Sequence, residues 1–215
     1  PAHADRPVLG CLIGHEIGQA MTQQTLDFYF DYSSPYGYFA SEMVEALADK
    51  HGRVVVWKPI LLGAIFKQEG TQSLVSYPIK GPYSKHDIER CSGFYNIPFH
   101  WPPVFPVLTV NAARATLWVQ QEYPEKAVSL IHAVFRKAFA EGTDVAQVVP
   151  VLEAAESVGL NSDEVAAVIR SQPMKDLLKS ETQAAMDRGV FGSPFFFIDG
   201  ERFWGVDRMD MMDAW

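Results

Sequence analysis

The sequence predicts an α/β fold in which a βαβ unit and a ββα unit are split by a long α-helical insertion. Three observations carry this. A short aromatic run at residues 26–30 is followed by a helical pattern and a second apolar run at 54–57. From Asn111 to Arg188 the apolar periodicity is almost wholly helical. After Gly189 short apolar runs return at 195–198 and 202–204, around an Asp199-Gly200 turn that reads as a hairpin.

Taken in order, residues 26–30 form a first strand that stops at Asp31. A helix over 38–50 carries Phe39, Met43, Ala46 and Leu47 on one face, and His51-Gly52 ends it. The second strand, 54–57, runs into Lys58-Pro59. Strand, helix and strand with short connections imply a parallel pair. Residues 64–106 are rich in Pro, Gly and Tyr, with one helix around 85–95. Helices over 111–121, 124–141, 144–158, 162–171 and 174–188 are separated by Tyr123-Pro124, Gly142, Gly159 and Pro173. A final helix opens at Asp207, and residues 211–215 read as a helix cut short. The expected organisation is a βαβ half over 21–63, the helical insertion over 64–189 and a ββα half over 190–215. Residues 1–20 read as an appended leader, with Met21 a natural start. Their brief apolar stretch, 7–13, lacks the basic start and small-residue cleavage site of a signal peptide.

Composition narrows the function. A net charge of −8 with no Lys/Arg run argues against nucleic acid or an anionic membrane as partner. No apolar run approaches the roughly 20 residues of a transmembrane helix. The two cysteines, Cys11 and Cys91, are far apart and in no CxxC, and the six histidines show no ligand spacing. Neither a disulfide framework nor a metal site is supported, and the cytoplasm is the expected compartment.

Chemistry concentrates in FYFDYSSPYGY, residues 28–38. Ser34 stands where a strand turns into a helix, with Pro35 in the first helical position. Alone, this is an ordinary N-cap. As a site, a hydroxyl at a helix N-terminus can hold a thiolate ionised, and no protein cysteine is nearby to own that thiolate. Ser34 as nucleophile lacks a G-x-S-x-G elbow and a histidine placed to activate it. Gly192-Ser193-Pro194 reads either as a plain loop-to-strand proline or as a cis bond that turns the Ser193 main chain toward a peptide. In residues 203–209, Asp207 is a helix cap or, with the adjacent amides of Val206, a receptor for an amino-acid head group. Lys80, in an irregular segment, is a solvated charge or an anion contact. Tyr77, Tyr83, Phe94, Trp101 and Phe105 either wall an aromatic pocket or form core.

Together these segments resemble the 2-hydroxychromene-2-carboxylate isomerases and the kappa-class glutathione transferases, in the DsbA-like branch of the thioredoxin superfamily. The resemblance runs from about Leu26 to the end. It rests on FYFDYSSPYGYFASE, on the 59–67 segment PILLGAIFK, on Asn96-Ile97-Pro98-Phe99 and on FGSPFFFIDGERFWGVDRMD. It implies a thioredoxin-like core of DsbA/kappa type, glutathione as cofactor, and Ser34 as the contact to the glutathione sulfur. Ser193, before an expected cis Pro194, would pair with the cysteinyl part. Val206 and Asp207 would hold the γ-glutamyl end, and Lys80 the glycyl carboxylate. Thr71, after Lys67-Gln68-Glu69-Gly70, stands where kappa-type enzymes tend to carry Asn, and Gly37 replaces a frequent Ser. The resemblance further implies isomerisation of a small aromatic carboxylate by reversible thiolate addition, and a homodimer. A kappa-like transferase acting on small electrophiles shares every one of these contacts. A non-catalytic module that holds a peptide in the proline groove is the alternative of a different class. A disulfide oxidoreductase fails for want of a CxxC.

Overall fold

Leu26, Phe28 and Phe30 point to one face of β1 (Thr25–Phe30), and Asp27 and Tyr29 to the other, so the strand is buried on both sides. The computed structural model describes residues 24–215; the predicted leader and Cys11 lie outside them. After β1 come α1 (Pro35–Ser41), α2 (Val44–Lys50) and β2 (Val54–Pro59). Next are α3 (Leu62–Glu69), a 3-10 turn at Leu74–Ser76 and α4 (Lys80–Tyr95). The helical block comprises α5 (Val110–Glu122), α6 (Pro124–Phe135) running into a π turn at Arg136–Ala140, α7 (Val148–Ser157), α8 (Ser162–Val168) and α9 (Gln172–Asp187). The chain closes with β3 (Phe195–Ile198), β4 (Glu201–Trp204), a 3-10 turn at Val206–Arg208 and α10 (Met209–Ala214).

The sheet order is β2-β1-β3-β4. β1 runs parallel to β2, with Phe28 beside Trp57, and antiparallel to β3, with Phe28 opposite Phe196. β3 and β4 form the predicted hairpin, turned by Asp199 and Gly200 at φ 51° and 88°. On one face Phe28, Phe30, Trp57 and Phe196 pack with Phe39, Ile131 and Phe135; on the other, Tyr29, Phe195 and Phe197 pack with Ile60, Ile65 and Ala185. Each buried aromatic of this kind contributes about 3 kcal/mol or more against truncation to Ala. The N-terminal and C-terminal halves therefore share one sheet, which seats the end of β1 beside the start of β3.

Four expectations are corrected. The helix read over 38–50 breaks at Glu42-Met43, which re-phases α2. Tyr38, Phe39, Val44 and Ala48 face inward, while Ala46, expected on that face, is exposed. A helix not foreseen, α3, follows β2. α4 starts at Lys80, so this lysine lies in a helix's first turn, not in irregular chain. The helix expected from residue 144 begins at Val148, because the Asp144 carboxylate accepts the Ala146 N–H at 3.1 Å and holds a turn there. Among the described residues no helix is long and apolar enough to cross a membrane.

Candidate functional site

The turn after β1 is built by Asp31. Its carbonyl accepts the Ser34 N–H at 2.9 Å and its carboxylate accepts the Ser33 N–H at 2.8 Å. Ser34 is thereby held extended as the N-cap of α1, with Pro35 in the first helical position. The Ser34 hydroxyl, 5% exposed, accepts the Gly37 N–H at 3.0 Å and donates to the Ser193 carbonyl at 2.9 Å. Two segments 159 residues apart thus meet at one hydroxyl.

The Ser193–Pro194 bond is cis. The Ser193 hydroxyl accepts the Asp31 N–H at 3.1 Å, and the Pro194 carbonyl accepts the Gly205 N–H at 3.1 Å. The second bond fixes the 205–207 segment alongside. Gly205 sits at φ 106°, which favours glycine, and a side chain there would run into the Asp207 carboxylate. Gly37 has a different reason: a Cβ would stand 2.9 Å from the Ser193 hydroxyl oxygen. The absence of the frequent Ser at 37 and the presence of Ser at 193 are one packing solution.

The electrostatics centre on a carboxyl that the sequence motifs did not single out. Asp31 is buried; desolvation raises its pKa, opposed by hydrogen bonds from the Thr109 hydroxyl at 2.6 Å, the Ser33 N–H and the Leu62 N–H at 2.6 Å. Tyr36, in the first turn of α1, donates to Asp87 at 2.8 Å; burial and that carboxylate raise its pKa, so it stays a phenol. Among the described residues Cys91 is unpaired. Burial and then Asp87 raise its pKa, which leaves an inert thiol.

Ser34, Ser193, Pro194, Val206 and Asp207 form one cluster. Pro194 and Val206 are buried, whereas Asp207 is exposed and pairs with Arg208 at 2.6 Å. Asp207 makes no capping bond. The Ser193 carbonyl, expected to face a ligand, already accepts the Ser34 hydroxyl; its second lone pair is what remains. Thr71 and Lys80 are exposed and make no contact with Ser34 or Ser193. The Thr71 N–H closes α3 on Phe66, and the Lys80 ammonium lies 5.3 Å from the Tyr77 ring. The aromatic set divides. Trp101 and Phe105 pack on Phe99 and Phe139, while Tyr83 and Phe94 are exposed. Trp204 belongs to the 204–208 segment expected beside Ser34: its indole fills the place a Gly192 Cβ would take and meets Phe191 edge-on at 4.9 Å.

A family model for the DSBA-like thioredoxin domain matches residues 25–214. The chain belongs to this family. A 2-hydroxychromene-2-carboxylate isomerase of Sphingobium xenophagum is 28% identical over 194 residues, which is 89% of this chain and 97% of that protein. Glutathione S-transferase kappa 1 of Homo sapiens is 25% identical over 201 residues, covering 88% and 89% of the two chains. A solved structure of a 2-hydroxychromene-2-carboxylate isomerase matches with a TM-score of 0.81 at 25% identity, over 88% of this chain and 93% of that one. Within the DsbA-like fold, then, the CxxC frame here is Ser34-Pro35-Tyr36-Gly37.

Proposed function

We propose that this chain is a glutathione-dependent isomerase of the 2-hydroxychromene-2-carboxylate isomerase type. It would interconvert 2-hydroxychromene-2-carboxylate and trans-o-hydroxybenzylidenepyruvate, or a related aromatic-degradation intermediate. The observation that carries the reading is the Ser34 hydroxyl, held at an N-cap between the Gly37 N–H and the Ser193 carbonyl, in a fold whose usual cysteine is missing from that spot. Relatives bearing that isomerase name, over nearly the whole chain, support it.

The donor set fits glutathione. Its three parts are a thiol, an amino-acid head group and a glycyl carboxylate, and the chain offers a hydroxyl, an exposed carboxylate beside main-chain amides, and an exposed lysine. When bound, glutathione supplies a nucleophilic sulfur able to add reversibly to a conjugated double bond and so free it to rotate. With glutathione bound, Ser34 would turn its hydroxyl hydrogen from the Ser193 carbonyl to the sulfur, which would favour the thiolate. Ser193 would present main chain to the cysteinyl part, Val206 and Asp207 would receive the γ-glutamyl end, and Lys80 and Thr71 would hold the glycyl end.

Ultraviolet titration tests the first step: bound glutathione should show a thiol pKa below its free value, and absence of binding would leave only the non-catalytic module. A substrate panel tests the second. Chromene isomerisation that requires added glutathione is expected; full activity without it overturns the mechanism, and fast conjugation of simple electrophiles without isomerisation would assign the transferase activity of the kappa relatives instead.

A further inference from the structure

We infer that Asp31 is the positioning residue of the Ser34 site, acting through its buried carboxyl group on the two segments that meet there. Its main-chain N–H holds the Ser193 hydroxyl and its carbonyl holds the Ser34 N–H. The carboxylate fixes that main chain from three directions. One oxygen accepts the Ser33 N–H at 2.8 Å and the Thr109 hydroxyl at 2.6 Å, and the other accepts the Leu62 N–H at 2.6 Å.

Two features show that the surroundings are arranged around this group. Thr109 is the N-cap of the 13-residue α5, yet its side chain makes no capping bond, because its hydroxyl is turned onto Asp31. A cap of that type stabilises a helix by about 1 kcal/mol, and the fold forgoes it here. Likewise α3 has Leu61 as its N-cap, with no side-chain cap, and takes its acceptor from Asp31, 31 residues upstream. Among the described residues no cation partners this buried acid. Hydrogen bonds alone hold it, and all of them point inward as donors. An amide cannot replace it. Whichever way the side chain of an Asp31→Asn variant is turned, its NH2 would face the Ser33 or the Leu62 N–H, and a main-chain donor cannot reverse.

The inference rests on the glutathione reading for its catalytic readout but not for its geometric one. In Asp31→Asn, kcat is expected to fall about 10-fold or more through misplacement of Ser34. KM for glutathione should change less, and the thiol pKa of bound glutathione should move up toward its free value. A lowered or unchanged pKa with native kcat overturns the proposal. Thr109→Val should shift both values in the same direction by less, and Thr109→Ser should restore them. If Asp31→Asn does not fold, the Thr109 pair decides, and a native Thr109→Val sinks the idea. If the wild-type protein binds no glutathione, the proposed function falls and the amide resonances of Ser34 and Gly37 decide instead. Shifted signals in Asp31→Asn and Thr109→Val, with native signals in Thr109→Ser, support the role of Asp31; unchanged signals overturn it.

Discussion

The two halves of the candidate site are built to opposite specifications. Ser34, Ser193 and Asp31 are each buried or half-buried and hydrogen-bonded, with partners drawn from both ends of the chain. Around Thr71 and Lys80 the chain is exposed, and Lys80 has only the Tyr77 ring nearby. The difference matches what each half is proposed to do. Holding a reactive sulfur requires a fixed donor, since misplacement by an ångström is costly. Gripping the far end of a flexible tripeptide requires only reach and charge.

If that contrast is right, substitutions in the two halves should fail in different ways. Ser34→Ala should have the largest effect. Glutathione-dependent activity should drop about 100-fold, the scale of losing one preorganised donor, and a thermal melt should show a loss on the order of 1 kcal/mol from the missing cap. A near-native kcat would remove Ser34 from the chemistry. Gly37→Ala comes next. Its Cβ, 2.9 Å from the Ser193 hydroxyl oxygen, pushes that hydroxyl off the Asp31 N–H, and kcat should fall roughly 10-fold. A second change, Ser193→Ala, should recover part of it in steady-state kinetics. Lys80→Ala or Thr71→Ala should raise KM for glutathione only about 3-fold, the effect of a solvated contact, and leave the bound thiol pKa alone. A shift in that pKa would show that the exposed half is part of the thiolate site after all.

The smallest effect lies at the other end of α1, where Glu42 pairs with Arg136 at 3.0 Å and with His132. Burial works to raise the Glu42 pKa, but the bonds from His132 and Arg136 outweigh it and bring it down to about 2. For His132, burial works downward and the bonds to Glu42 and Glu45 outweigh it, so its pKa is raised. The Glu42 contribution is complete above pH 4.5 and is lost as pH falls toward 2. The His132 contribution is complete below pH 6.5 and is lost as pH rises through its raised value. Urea unfolding should therefore show this cluster most stabilising between those limits. Glu42→Gln should remove about 1 kcal/mol there and less at either extreme. Thiol titration in that variant should be native, since the cluster anchors the far end of α1 and not its N-cap.

What the sequence disclosed follows the range of the interactions involved. Ser34-Pro35 and Asp199-Gly200 are legible because cap and turn chemistry is local. α3 is not legible: it opens at Leu61-Leu62-Gly63, which carries no capping residue, and its acceptor is Asp31. The first turn of α4 is hidden by Gly81-Pro82, which read as breakers although proline is tolerated in a helix's first turn. The break at Glu42-Met43 leaves the apolar spacing looking continuous, which puts Ala46 on the wrong face. Asp31 could be seen as the end of a strand, but its partners lie 2, 31 and 78 residues away, and only folding brings the last two to it. Lys80 and Asp207 are legible as charges beside a turn or a helix start, while their glutathione roles come from the resemblance, and the structure places only Asp207 in the Ser34 cluster.

The close approach of Gly37 to the Ser193 hydroxyl also bears on what a disulfide in this frame would require. The two positions of the CxxC frame are Ser34 and Gly37. Restoring a cysteine at the first exchanges one small side chain for another. Restoring one at the second drives a Cβ into an oxygen anchored on the main chain of Asp31. Two cysteines in the motif would therefore also displace the Ser193 hydroxyl, far away in sequence, from the Asp31 N–H. The proline loop thus couples what residue 37 can carry to what stands at residue 193.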